Sequence, residues 1–138
     1  MRKKRLHQLA KVSRAQYLRE LARIREILDR ETALRGQLLR LAQQAERARR
    51  DHAADPAMQS LGADMAWQGW LGRSRRRLNT ELAQVMARKL VAMDSVRNAF
   101  GREQAVQTLA DAEAARRADR LARLRDLHLL EAACTGEE

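Results

Sequence analysis

Residues 51–72 read DHAADPAMQSLGADMAWQGWLG, and this one window holds the only proline of the chain, both tryptophans and three of the six glycines. Elsewhere the chain is dominated by Arg, Ala, Leu and Glu, which are helix formers. Asp55-Pro56 restricts the residue before the ring and removes a backbone donor. A helix entering from the N-terminal side therefore ends near Ala53, and Pro56 opens a new turn. Gly62 supplies a permissive backbone soon after. The chain is expected to reverse within this window.

Working outward, the N-terminal side carries apolar residues at helical spacing from Leu6 to Ala48. With Tyr17, Ile24 and Leu38 at heptad position a and Ile27, Leu34 and Leu41 at d, Leu21, Leu28 and Ala42 fall at e and broaden the stripe. Glu20 and Glu31 interrupt it as charged gaps. Glu26/Arg30, Glu31/Arg35 and Glu46/Arg50 each place an acid four residues before a base, the favourable order for a solvated helix face. On the C-terminal side Leu78, Leu82, Val85, Ala92, Val96, Ala99, Val106 and Ala110 recur at steps of four and three, broken by Lys89 and Glu103. Beyond Ala110 the seam becomes Glu113, Arg117 and Arg120, and apolar character thins until Leu121, Leu124, Leu127 and Leu130. Gly101 marks either a close approach or a soft point, with close approach slightly preferred.

Two striped helices joined by a short break bury their stripes by folding back on each other. The expected fold is all-α, a long antiparallel two-helix coiled-coil hairpin forming one domain over residues 1–138. Helix 1 covers about 3–53, the turn about 54–63 and helix 2 about 64–132. Periodicity leaves a monomeric hairpin, a weak oligomer and a pairing between chains all open. Trp67, Trp70 and Leu71, beside the turn, either cap the open end of the seam or offer a patch to a partner, capping being preferred.

Composition narrows the function classes. Aromatic residues make up 3% of the 138 residues and charged residues 33%, too few large side chains to fill a globular core. The net charge of +10 attracts nucleic acid, lipid head groups or acidic protein surfaces. Cys134 is the single cysteine, so no intrachain disulfide forms. Charges interrupt the segment after the basic MRKKR start before any apolar export-signal core develops, and no run is long and apolar enough for a membrane span. A cytoplasmic protein without membrane insertion is expected.

Catalytic chemistry finds no support. His7, His52 and His128 sit near no Cys or carboxylate at a ligand or nucleophile spacing, apart from the weak His128/Glu131 pair, and no phosphate-cradling glycine loop occurs. A non-enzyme with no metal and no cofactor is expected. Nucleic acid is the alternative partner: no acid precedes Glu20, and Arg73, Arg75, Arg76 and Arg77 form a second basic run. Against it, bases elsewhere are interleaved with acids, and base-stacking aromatics are missing except at the turn.

The basic N-terminus running straight into a long helix, the central break, and RRRLNTELAQVMARKLVAMDSVRNAFGREQAVQTLADAEAARRADRL (residues 75–121) together resemble the FliJ/YscO family of type III export coiled-coil proteins. The resemblance covers nearly the whole chain. It implies an antiparallel coiled coil similar to a rotary-ATPase stalk, a cytoplasmic place peripheral to a membrane-embedded export complex, and three kinds of partner. These are the export ATPase hexamer, the cytoplasmic domain of the export gate, and export chaperones. By position it implies that Arg2, Lys3, Lys4, Arg5, Arg116, Arg117, Arg120 and Arg123 face the ATPase ring. The turn-proximal Trp67, Trp70 and Leu71 are then left to the gate, although WQGWLG is not a feature of that family.

Overall fold

A computed structural model describes residues 2–57 and 62–136. The fold is all-α: α1 (Arg2–Ala53) and α2 (Ala63–Thr135) pack antiparallel as a helical hairpin, with no strand among the described residues. The proline window acts where its chemistry requires. After α1 ends, Ala54 N–H donates to Asp51 O at 3.2 Å and Asp55 N–H to His52 O at 3.3 Å, which satisfies carbonyls the helix would otherwise orphan. Asp55 then caps the next turn: its Oδ1 accepts from Ala57 N–H at 3.1 Å while Pro56 occupies the first position, where no N–H is needed. Gly62 takes φ 67°, and its carbonyl accepts from Ala66 N–H at 3.2 Å to start α2. Residues 58–61 of the expected turn lie outside the described residues. Across the turn, His52 Nδ1 stands 3.1 Å from Asp64 Oδ1, joining the last turn of α1 to the first turn of α2. The acid sits at a positive helix end and the imidazole at a negative one.

Chain packing divides the molecule into two compact units. The first, Leu21–Ser95, carries the dry core: Leu34, Leu41, Leu71, Leu78 and Val85, with Ile27, Leu38, Ala45, Trp67 and Leu82 packed against them. Leu34 is 0% exposed. The α1 contribution keeps a strict alternation of three- and four-residue steps through Ile24, Ile27, Glu31, Leu34, Leu38, Leu41, Ala45, Ala48 and His52. On α2, Ser74, Leu78 and Leu82 follow at two successive four-residue steps, an insertion that locally unwinds a left-handed supercoil. The stripe is narrower than periodicity implies. Leu21 is half-buried, but Leu28 and Ala42, expected to widen the face, are exposed.

Glu31 is buried in the seam, where spacing set it as a charged gap, and its pair with Arg35 forms there rather than on the solvated face expected for that pair. Its Oε2 accepts from Lys89 Nζ of α2 at 3.0 Å and its Oε1 from Arg35 Nη2 at 3.0 Å. These two donors, Lys89 foremost, hold its carboxyl below the usual carboxylate range against the opposing effect of desolvation. Arg30, expected on Glu26, pairs with Glu81 of α2 at 2.8 Å. Glu46 behaves as spacing implies, binding Arg50 at 3.3 Å and Arg49 at 2.9 Å on an exposed face.

The second unit comprises Met1–Glu20 and Val96–Glu138. Its seam is built from small and polar groups: Ser13, Ala99, Glu103 and Val106 are buried, and Leu6, Ala10, Tyr17, Val96 and Ala110 half-buried. Ser13 Oγ donates to Ala10 O at 3.1 Å, and Glu103 accepts from Arg14 Nη1 at 3.3 Å, so Glu103 breaks the apolar pattern but not the packing. Tyr17 and Phe100 supply the bulk, their ring centroids 5.5 Å apart at a 50° tilt.

The close approach preferred for Gly101 is not found. A Cβ built there meets nothing within 4 Å, because Gly101 lies on the exposed side of α2. Gly101→Ala therefore removes backbone freedom from the unfolded chain with no clash in the folded one. It is expected to raise stability by about 0.5–1 kcal/mol, measured by urea titration of the far-UV helical signal. A loss of stability would show that the position is not open.

Candidate functional site

Two surfaces carry the residues singled out from the sequence, one in each unit. In the unit containing both chain ends, Arg2, Lys3, Lys4 and Arg5 form the opening of α1, all exposed. That turn holds no acid, so four cations stand at the positive end of the helix dipole. The arrangement costs helix stability, typically a few tenths to 1 kcal/mol per exposed charge. Antiparallel pairing brings this turn beside α2. Arg2 shares one open groove with Glu113, Arg116, Asp119, Arg120 and Arg123, and Lys3 shares another with Glu113 and Arg117. Arg5 lies with Arg116 beside Leu6, Leu9 and Leu109. Lys4 is exposed and lines none of these grooves. Of the acids inside the cluster, half-buried Glu113 reaches Arg120 at 3.5 Å and Arg116 at 4.0 Å. Two patches more than a hundred residues apart in sequence thus become one cationic tip.

In the other unit the turn-proximal trio separates by role. Leu71 is buried in the core, and Trp67 packs against it from the seam. Trp70 projects from that layer, 43% exposed, its ring stacked on Trp67 with centroids 5.0 Å apart at 20°. Trp67 therefore fills the seam and stiffens Trp70. The Trp67 indole N–H is buried with no acceptor among the described residues. Gly69 leaves space for the Arg73 guanidinium, whose Nη1 would stand 3.2 Å from a Cβ placed there.

Trp70 lines an open groove with Arg77 and Ser74 of α2 and Gln37, Arg40 and Gln44 of α1. Arg40 and Arg77 form no ion pair among the described residues, and neither do Arg73, Arg75 and Arg76 of the same basic run on α2. No acid occurs in α2 between Asp64 and Glu81 or in α1 between Glu31 and Glu46, and the lining of the groove carries charge of one sign. The α1 members Gln37, Arg40 and Gln44 were not visible as site residues in the sequence. Only the antiparallel register places them beside Trp70, and the acid-free gap from Thr32 to Ala45 was the one available hint.

His128 and Glu131 face each other at 3.7 Å as an exposed pair. No helix among the described residues is long and apolar enough to cross a membrane. No protein-family model, curated protein or solved structure matches the chain.

Proposed function

We propose that the chain is a non-enzymatic coiled-coil stalk or adaptor of a flagellar or other type III protein-export apparatus. In this reading the cationic tip is held by acidic surface on the export ATPase ring, and the Trp70 groove by the cytoplasmic domain of the export gate. The observation that carries the reading is the tip itself. Arg2 and Lys3 meet Arg116, Arg117, Arg120 and Arg123 at a helix end where positive charge is unfavourable, an arrangement that an acidic protein surface would relieve. A hairpin with a dry seam and no enclosed cavity at either surface is suited to being gripped from outside, and the stiffened indole of Trp70 is a typical anchor for such a grip.

The test is direct titration of the full chain against an export ATPase hexamer and against a gate cytoplasmic domain at physiological salt. Arg2→Glu combined with Arg116→Glu is expected to weaken ATPase binding at least tenfold, chiefly through the association rate. Trp70→Ala should spare helicity and lower gate binding by a similar factor. No binding to either protein at tens of micromolar, with normal motility of a deletion strain, would overturn the proposal.

One observation favours a second reading. The unpaired Arg40 and Arg77 beside Trp70, together with Arg73, Arg75 and Arg76 of the same run on α2, could neutralise phosphates, with the indole stacking on a base. That reading requires affinity for single- or double-stranded nucleic acid that falls steeply with salt. Four or five phosphate contacts would give a log–log slope of roughly −4.

A further inference from the structure

Among the described residues the last four turns of α2 meet no partner helix. Arg2 at the start of α1 lies beside Arg116 to Arg123, and of the residues from Ala118 to Thr135 only Ala122 is even half-buried. Along this segment Leu121, Leu124, Leu127 and Leu130 are 52–63% exposed, an apolar strip in a helix otherwise furnished with arginine and alanine. A strip of this length left in water carries a free-energy penalty that association would remove.

The pattern of the strip specifies its occupant. The seam spacing of α2 continues past the end of α1 through Arg117, Arg120, Leu124, Leu127, Glu131 and Cys134. Read outward in both directions from the Arg125–Asp126 bond, these positions answer one another: Leu124 to Leu127, Arg120 to Glu131, Arg117 to Cys134. An antiparallel two-fold arrangement of two copies therefore stacks leucine on leucine twice at the centre and sets Arg120 of each copy against Glu131 of the other. Leu121 and Leu130 flank these layers and cover their edges. A parallel arrangement of the same strips would stack Arg117, Arg120 and Glu131 each on its own copy, three like-charge layers that oppose it.

We infer that the exposed C-terminal strip of α2 is a self-association surface, docking a second copy of this chain antiparallel through Leu124 and Leu127 with reciprocal Arg120–Glu131 pairs. Among the described residues nothing competes strongly for these groups. Arg120 reaches half-buried Glu113 only at 3.5 Å, and the exposed pair His128 and Glu131 stands at 3.7 Å, so both are cheaply exchanged. Two strips of this length bury less than a standard stable interface, so the association belongs to the weak, transient class. The inference stands apart from the export reading, since it rests on the pattern of Leu124, Leu127, Arg120 and Glu131 within α2.

The experiment is sedimentation equilibrium of the full chain from 1 to 500 μM, with helicity followed in parallel. The wild type is expected to pass from monomer to dimer. Leu124→Asp with Leu127→Asp should stay monomeric at every concentration with helicity retained, since both side chains are exposed. Arg120→Glu and Glu131→Arg should each weaken the dimer at least fivefold, and the two together should restore it. Orientation is read by mild oxidation. The antiparallel pair holds the two Cys134 sulfurs roughly 25 Å apart along the axis, so the wild type forms no disulfide dimer, whereas Arg117→Cys forms one with Cys134 of the second copy. A monomer up to 500 μM, a dimer indifferent to the leucine substitutions, or rapid Cys134–Cys134 cross-linking in the wild type would each overturn the inference.

Discussion

Leu34→Asp leaves the Leu21–Ser95 unit without a cooperative unfolding transition, and urea titration of the far-UV helical signal shows a shallow slope in place of a sigmoid. Leu34 is the one large side chain among the described residues with no exposed surface, set among Leu41, Leu71, Leu78 and Val85. Truncating such a residue to Ala costs about 2–5 kcal/mol, and an unpaired carboxylate in the same place adds a desolvation penalty on top. Single domains are stable by only about 5–15 kcal/mol, so the Ala variant survives weakened and the Asp variant does not. Leu39→Asp is the control. It substitutes a leucine five residues away that stands 61% exposed, and it is expected to stay within about 0.5 kcal/mol of wild type. Equal effects at the two positions would mean that the antiparallel seam is wrong.

Periodicity alone would have chosen the targets less well. Ile24 and Leu82 are ideal by spacing yet only half-buried, because a two-helix seam encloses a side chain fully only where both helices supply bulk around it. That condition depends on register between residues dozens of positions apart, which a single-helix pattern does not contain. The turn was legible for the opposite reason. Asp55, Pro56 and Gly62 act through their own backbone chemistry, and each does in the structure what its residue type dictates. The stepwise shift at Ser74, Leu78 and Leu82 is hidden in the sequence by the small Ser74, which hydropathy does not mark as core. Gly101 misled because a helical glycine reports a missing side chain without saying whether a neighbour or solvent fills the space. At the candidate site, the two halves of the cationic tip were each legible as charge runs. The groove at Trp70 was not, since Gln37, Arg40 and Gln44 have no distinguishing pattern of their own.

The charged breaks in the two stripes lead to the second large effect. Glu20, Glu31, Lys89 and Glu103 look like defects while each helix is read separately, yet Glu31 and Lys89 meet at 3.0 Å across the seam and Glu103 meets Arg14 at 3.3 Å. Sliding either helix by one heptad would leave the Glu31 carboxylate facing apolar groups, so the pair penalises wrong registers. Its stabilisation is conditional on pH, and the sign follows from the depressed carboxyl. A carboxylate held below its ordinary value near 4.5 contributes fully above that pH and loses its contribution as pH falls through the lower folded value. Glu46, lowered by Arg49 and then Arg50, acts in the same direction. Thermal midpoints measured from pH 7 to pH 3 should therefore hold steady down to about pH 5 and then fall. Glu31→Gln should start lower at pH 7 and lose less on acidification. Lys89→Met alone is expected to destabilise at neutral pH, because it removes the first of the two donors that keep the buried carboxylate charged. Glu31→Leu with Lys89→Leu should reverse the sign and raise the midpoint, because apolar packing replaces a pair whose carboxylate is buried. The stabilised double variant should also tolerate register shifts, seen as broadened amide resonances in the Leu21–Ser95 unit. A double variant that is both less stable and uniquely folded would show that the pair contributes net stability rather than register.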